Sequence, residues 1–164
     1  MEYFFNYVII VVEEHKIPMI FYRTDDLYDE EIVLKLAITC EEIPTKQYVP
    51  AYFFDICLLN GTIVGACDLR IGHNEKTYIG GNIGYRISED YRGHHYAARA
   101  CRLLFKLAKK HELEYVIISC GVDNIPSYKT CLSVGCEFIE IKDVPETSDL
   151  YPKLKQVRIY KKIL

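Results

Sequence analysis

The 164-residue sequence predicts a single α+β domain, and three observations lead to that prediction. An Asn-Gly pair joins two apolar segments that are rich in β-branched and aromatic residues, as in a hairpin. A long helical pattern follows a strand that contains three glycines. A short apolar strand, a second helix and two final strands complete the pattern. This order is typical of an α+β fold and not of regular βαβ alternation.

Composition agrees with one soluble globular domain over residues 1–164. Half of the residues are apolar and 26% are charged, which excludes an intrinsically disordered chain. The formal charge of −3 gives no general reason to expect a nucleic acid or an anionic membrane as partner. Seven cysteines without a CxxC pair argue against a structural metal and for reduced, mostly buried thiols. We therefore expect a cytoplasmic protein.

The first predicted element is a buried strand within the apolar segment Tyr3–Val12. This segment is too short to cross a bilayer, which takes ~20 residues. Glu2 stands where a signal peptide has basic residues, and Glu13 follows the segment directly, so we do not interpret it as a signal peptide.

The next predicted element is a helix of about three turns within residues 24–37. Thr24 provides a capping residue, and the acidic residues that follow it suit the positive end of a helix dipole. We interpret this acidic cluster as the solvated start of a helix and not as a metal site. Its members are Asp25, Asp26, Asp29, Glu30 and Glu31.

Three strands are predicted next. Residues 51–59 and 62–71 flank Asn60-Gly61, a pair that suits a turn with positive φ at both central positions. A third strand is predicted over residues 78–87, although Gly80, Gly81 and Gly84 weaken it. Glycines at this density indicate a bulge, or a place where another backbone or a ligand comes close.

The second half of the chain alternates helices and strands. A polar loop over residues 88–93 leads into an amphipathic helix that begins near His94 and ends at about Lys110. The fully apolar strand that follows suits a central place in the sheet. The remaining predicted elements are the strand 115–120, a helix from Asn124 to Val134, and strands at 136–141 and 156–164.

The loop before the long helix is the first candidate site. Backbone N–H groups at a helix start are unpaired and point outwards, so a strand, a tight turn with Arg92-Gly93 and a helix start favour an anion. Neither GxxxxGK[ST] nor GxGxxG occurs, so the residues of P-loop and dinucleotide-binding sites are missing.

Residues 51–141 resemble the GNAT superfamily of acyl-CoA-dependent N-acyltransferases. The family's motif of Arg or Gln, two spacers, Gly, one spacer and Gly or Ala matches Arg92 and Ala97, whereas His95 stands at the middle glycine. A strand, Asp123-Asn124, a helix and Gly135 match its second motif in the expected order. The resemblance implies a mixed, mostly antiparallel sheet of six to seven strands flanked by about four helices.

The resemblance also implies where acetyl-CoA binds as the acyl donor. The backbone of Tyr85, Arg86 and Ile87 would pair with the pantetheine arm. Asn124 would contact the same arm, and it can equally serve as a helix cap. The CoA pyrophosphate would lie on the amides of Arg92, Gly93, His94, His95, Tyr96 and Ala97.

The catalytic residues implied by the resemblance match the family pattern less closely than the cofactor-binding residues do. Many members have a tyrosine that acts as the general acid seven residues after the asparagine. In this sequence that position is Cys131. Its thiol can donate a proton or be a buried structural group, and Tyr128, one turn earlier, is the rival donor or a packing aromatic. The strand 78–87 has no carboxylate, so Asp55 or Asp68 would act as base through water.

The implied function is transfer of an acetyl group from acetyl-CoA to a primary amine of a small molecule or peptide. The alternative is a non-catalytic acyl-CoA sensor or scaffold, which His95, Cys131 and the missing carboxylate favour. Amine specificity would come from residues 24–50 and 142–152. We expect no nucleic acid, membrane or metal as partner, while a homodimer through the last strand remains open.

Overall fold

The computed structural model describes residues 17–164, which form one sheet with helices on both faces. Seven strands make up the sheet: β1 Ile32–Cys40, β2 Ala51–Leu58, β3 Ile63–Arg70, β4 Ile83–Ile87, β5 Tyr115–Gly121, β6 Glu137–Asp143 and β7 Gln156–Ile163. Three α-helices accompany them: α1 Glu75–Gly80, α2 Tyr96–Lys110 and α3 Ile125–Ser133. The predicted α+β class and seven strands are confirmed, with three helices in the described part where about four were expected.

The strands lie in the order β1-β2-β3-β4-β5-β7-β6. Every neighbouring pair is antiparallel except β4 and β5, which are parallel because α2 connects them. β5 is central, as its apolar sequence predicted. β7 lies between β5 and β6, so both of its edges are paired and the suggestion that it pairs with another chain is wrong.

The core divides between the two faces of the sheet. On one face, α2 buries an apolar stripe that includes Leu104 and Leu107, and α3 adds Cys131. The stripe follows helical periodicity, with Arg102 and Lys106 exposed opposite it. On the other face, α1 and the loop between β6 and β7 cover a smaller cluster that contains Ile79, Ile117, Val144, Val157 and Ile159.

The helix predicted within residues 24–37 is wrong, because this segment turns and then forms β1. The carboxylate of Asp29 accepts hydrogen bonds from the N–H groups of Glu31 and Ile32, which closes a turn instead of starting a helix. Ile32 and Leu34 are buried on alternate positions, as in a strand that packs on one face. Pairing with β2 outweighs the weak helix propensity of this segment.

The acidic cluster before β1 is an ion-pair site and not a solvated helix start. The guanidinium of Arg99 on α2 lies 2.8 Å from Asp29, 3.0 Å from Glu30 and 2.8 Å from Glu31. The Lys110 ammonium lies 2.7 Å from Asp26. These contacts attach the turn before β1 to both ends of α2.

The strand predicted over residues 78–87 is only half correct, because its first part is helix α1. Asn74 caps this helix: its side chain accepts from the N–H of Thr77, and the Thr77 hydroxyl accepts from the N–H of Asn74. β4 begins only at Ile83. The cap at Asn74, just before the predicted strand, is the signal that distinguishes a helix from a strand here.

The remaining predicted elements are confirmed within one or two residues at each end. In the hairpin turn Gly61 has φ 92°, whereas Asn60 does not have positive φ, so the turn type expected from this pair is wrong. The strand predicted at Tyr3–Val12 lies outside the described residues. Within residues 17–164, no helix has the length and apolar character needed to cross a membrane. All seven cysteines are free, and only Cys40 is exposed.

Candidate functional site

The sheet opens between β4 and β5, and this opening is the centre of the candidate site. The two strands are paired at a single position, Ile83 with Ile118. Beyond that pair they diverge, so the backbone of Tyr85 to Ile87 pairs with β3 on one side and has no strand partner among residues 17–164 on the other. A strand edge of this kind can accept an extended ligand by backbone hydrogen bonds.

Asn82 fixes the point from which the strands diverge. Its buried side-chain amide donates to the carbonyls of Arg70 and Gly72, at 3.1 and 2.8 Å, and accepts from the N–H of Ile117 at 2.8 Å. Its own N–H also donates to the Ile117 carbonyl. One residue therefore joins the end of β3, the start of β4 and the middle of β5.

Two of the glycines in this region are explained by close contacts. A Cβ on Gly84 would lie 2.8 Å from a carboxylate oxygen of Asp68, and Gly81 has φ 85° with strand backbone close by. The predicted close approach of backbone is therefore present at Gly81, whereas at Gly84 the approaching group is the Asp68 side chain of the neighbouring strand.

The loop before α2 presents backbone N–H groups at the end of this opening. Gly93 has φ 86°, and His95, the residue before the helix, has φ 61°. His95 thus has the left-handed conformation that favours glycine, and histidine is among the residues that tolerate it best. In the part of the chain that the structure describes, no side chain caps the helix, and N–H groups at an uncapped helix start can bind an anion.

Imidazole and basic side chains lie beside this helix start and along α2. His94 stacks on Tyr96, with ring centroids 5.4 Å apart. A cavity of about 490 Å³ follows the outer face of α2 and is lined by His95, Arg102 and Lys106, among others. Asp29 and Glu30 line the same cavity and contact Arg99, so basic and acidic side chains lie side by side there.

The Tyr85 side chain reaches from β4 to α3 on the face covered by α2. Its hydroxyl donates to the Ser127 carbonyl at 3.1 Å and lies 2.9 Å from the Ser127 Oγ and 3.8 Å from the Cys131 Sγ. Burial raises the pKa of Tyr85, and it raises the pKa of the Cys131 thiol to about 12. Both groups keep their protons at neutral pH.

Two other predicted site residues lie on or next to α3. The Asn124 side chain accepts from the N–H of Ser127 at 3.2 Å, so its capping role is realised. Tyr128 is partly exposed, and the guanidinium of Arg158 lies 5.3 Å from its ring centroid.

The two candidate carboxylates differ in their distance from the opening. Asp55 is on β2 opposite Ala66, one strand further away. Asp68 is on β3 opposite Gly84 of β4, and its carboxylate lies 2.5 Å from the Arg70 guanidinium. Burial raises the pKa of Asp68, although Arg70 and the Gly84 N–H oppose this shift.

A larger cavity, of about 550 Å³, lies near the other end of β4 from α2. Its walls come from the segment between β1 and β2, from α1, and from the loop between β6 and β7. These include parts of both segments that were expected to set amine specificity. Among its lining residues are Glu41, Tyr48, Phe53, Arg70, Glu75, Ile79 and Asp149.

Sequence reasoning missed Asn82, Ser127 and helix α1. Asn82 stands between a glycine pair and an apolar strand, where a lone amide is a detectable signal of a buried hydrogen-bonding role. Ser127 offered no signal, since a serine near a helix start is common. Among residues 17–164, no group of three or more His, Cys, Asp or Glu side chains can hold a metal ion.

Comparisons with solved structures identify similar folds. The microcin C7 self-immunity acetyltransferase, in complex with acetyl-CoA and AMP, matches with TM-score 0.56 and 21% identity over 70% of this chain and 61% of its own. A GNAT-family acetyltransferase from Bacillus anthracis matches with TM-score 0.55 and 21% identity over 68% and 65%. RimL, a ribosomal-protein alpha-N-acetyltransferase in complex with coenzyme A, matches with TM-score 0.56 and 20% identity over 73% and 64%.

The chain spans less than two thirds of the length of these three structures. No curated protein sequence matches it. A family model, described as the acetyltransferase (GNAT) domain, matches residues 18–137, which is most of the chain. This chain therefore belongs to the GNAT acetyltransferase family.

Proposed function

We propose that this protein transfers the acetyl group of acetyl-CoA directly to a primary amine. The observation that carries this proposal is the divergence of β4 from β5 beside the uncapped start of α2. The pantetheine arm would pair with the backbone of Tyr85, Arg86 and Ile87, near Asn124. The pyrophosphate would lie on the amides of Arg92, Gly93, His94, His95, Tyr96 and Ala97.

The similar structures support the acyl donor and leave the acceptor open. Two of them contain acetyl-CoA or coenzyme A. One of these two is named for immunity to a microcin and the other for a ribosomal protein, so their acceptors differ in kind. Free cysteines support a reducing, cytoplasmic location.

The reaction needs a base, an oxyanion partner and an acid. The amine nitrogen attacks the thioester carbonyl, forming the N–C bond, and the C–S bond then breaks to release CoA thiolate. We assign Asp68 as the base that receives the amine proton through water, because it is the carboxylate next to β4. Tyr128 or Cys131 would return a proton to the thiolate sulfur.

Replacing Gly93 tests the assigned role of the loop. Gly93→Ala should weaken acetyl-CoA binding about tenfold, a free-energy cost of ~1.4 kcal/mol, because alanine disfavours φ 86° and rotates the loop amides. Gly61→Ala is the matched control, since Gly61 also has positive φ and open space around its Cβ but lies in the hairpin turn. Calorimetry measures both affinities, and equal affinity in the two variants contradicts the assignment.

Turnover separates the enzyme from an acyl-CoA sensor. We expect thiol release when acetyl-CoA is mixed with a panel of amines, above the rate of acetyl-CoA hydrolysis. Saturable binding of acetyl-CoA without release for any amine would support the sensor. Absence of saturable acetyl-CoA binding would contradict both the acetyltransferase and the sensor.

A further inference from the structure

The opening between β4 and β5 has two walls that are built separately. On one side, the backbone of Tyr85 to Ile87 is held by its pairing with β3. On the other side, α3 is attached to the end of β5, because the Asn124 N–H donates to the Gly121 carbonyl at 3.0 Å. Past the pair of Ile83 with Ile118, no strand pairing joins the two walls in the described part of the chain. Side chains and the packing of α2 must therefore determine how far apart the walls lie.

Two hydrogen-bonding side chains cross from one wall to the other. Asn82 does so where the strands begin to diverge, through its bond from the Ile117 N–H. Tyr85 stands three residues further along, roughly 10 Å away at the rise of a strand. Its hydroxyl contacts the carbonyl and the Oγ of Ser127, which belongs to α3. Within residues 17–164, this hydroxyl makes the only hydrogen bonds between β4 and α3.

The Tyr85 side chain has the properties of a stiff spacer. Tyrosine has only two side-chain torsions, so its ring loses little freedom when both of its ends are fixed. The ring is partly buried and packs against the core cluster beneath α2, and the Cys131 Sγ lies 3.8 Å from the hydroxyl. Because one end of this side chain is the backbone of β4 and the other is bonded to α3, it holds the two elements at one separation.

We infer that Tyr85 is a positioning residue, whose hydroxyl bond to α3 keeps the opening at the width that the pantetheine arm of acetyl-CoA requires. This inference rests on the proposed function, in which the arm pairs with the backbone of residues 85–87. A ligand that enters a preformed site does not have to order its walls, so it binds more tightly than it would between walls that move independently.

Tyr85→Phe tests this role, because it removes the bond to α3 and keeps the ring. We expect the affinity for acetyl-CoA to fall about tenfold, ~1.4 kcal/mol, in calorimetry. Adenosine 3′,5′-bisphosphate shares the nucleotide of coenzyme A and lacks the arm, so its affinity, measured by competition with acetyl-CoA, should not change. Unchanged acetyl-CoA affinity overturns the inference, and so does an equal loss for the bisphosphate.

Tyr52→Phe is the matched control. The Tyr52 hydroxyl also has two partners, since it accepts from the Tyr22 N–H and lies beside the His111 Nε2, each at 2.7 Å. Tyr52 is on β2, away from the opening. We expect both variants to lose stability in urea denaturation and only Tyr85→Phe to lose acetyl-CoA affinity. Equal losses of affinity overturn the inference, because lower stability would then explain both.

Ser127→Ala tests whether the effect of Tyr85 passes through α3. This variant removes one contact of the Tyr85 hydroxyl and keeps the Ser127 N–H, from which the Asn124 cap accepts. We expect it to weaken acetyl-CoA binding in the wild-type protein and to have no further effect in Tyr85→Phe. An effect of the same size in both backgrounds overturns the inference.

The failure of this inference is distinguishable from failure of the proposed function. Absence of acetyl-CoA binding in the wild-type protein overturns the proposed function. Wild-type binding that Tyr85→Phe leaves unchanged overturns only the role of Tyr85.

Discussion

At the scale of single residues, His95 shows how a departure from a motif can preserve its geometry. The family pattern has glycine at this position, and the sequence alone raised the question of whether histidine prevents binding. The backbone has φ 61° there, so the left-handed conformation is retained. Histidine, asparagine and aspartate adopt this conformation more readily than bulky or branched residues do. Histidine is therefore compatible with the conformation of this position, at some cost in stability.

Kinetics of two variants should decide which side chain returns the proton to the thiolate. Tyr128 is partly exposed, whereas Cys131 is fully buried behind the hydroxyl of Tyr85. We expect Tyr128→Phe to lower kcat roughly 10²-fold, the scale of one lost general acid. Cys131→Ala should leave kcat nearly unchanged and lower stability by about 1–2 kcal/mol, because it opens a small cavity.

Stopped-flow measurement of thiol release gives kcat, and chemical denaturation gives the stability of each variant. The reverse pattern, with kcat lost in Cys131→Ala and kept in Tyr128→Phe, would move the role to the cysteine. Unchanged kcat in both variants would mean that solvent supplies the proton.

At the scale of elements, prediction succeeded where a local signal and the tertiary structure agree. Asn60-Gly61 and the amphipathic stripe of α2 each determine their element almost alone. The prediction for β1 was wrong because the acidic segment before this strand resembles a helix start. The partners that determine its structure, β2 and Arg99, lie elsewhere in the sequence. The loop between β4 and α2 could be predicted in the same local way, and its role as an anion site stays a prediction. The cavity could not, because its walls come from separate segments.

Asn82 provides the sharpest test of how the elements around the opening are held. Asn82→Ala removes three side-chain hydrogen bonds: a buried one from the Ile117 N–H of β5, and two partly buried ones to the carbonyls of Arg70, at the end of β3, and Gly72. We expect a loss of about 3 kcal/mol in the free energy of unfolding, since each such group costs roughly 1–3 kcal/mol. Urea denaturation monitored by circular dichroism measures this value.

The control for this prediction is Asn60→Ala in the exposed hairpin turn. Its side chain accepts one hydrogen bond, from the N–H of Thr62 at 3.0 Å. Its loss should cost less than about 1 kcal/mol, because water replaces the bond. Similar losses in the two variants would mean that Asn82 does not hold the three strands together.

At the scale of the whole molecule, much of the charge near both ends of β4 is held in ion pairs between distant segments. Near the start of α2, Arg99 contacts Asp29, Glu30 and Glu31. Near the larger cavity, Arg70 contacts Asp68 and Lys76 contacts Asp149. The net charge of −3 is therefore distributed over paired groups and does not form one acidic face.

The seven thiols report on the integrity of the whole fold. Cys40 is exposed at the edge of the larger cavity, and the other six cysteines are buried around the sheet. We expect one thiol to react rapidly with Ellman's reagent in the native protein, and all seven in denaturant, because buried thiols react only when the structure opens. Cys40→Ser should abolish the rapid phase. Two or more rapid thiols in this variant would show that the core beneath α2 and α3 opens readily, and the packing described for both helices would then be wrong.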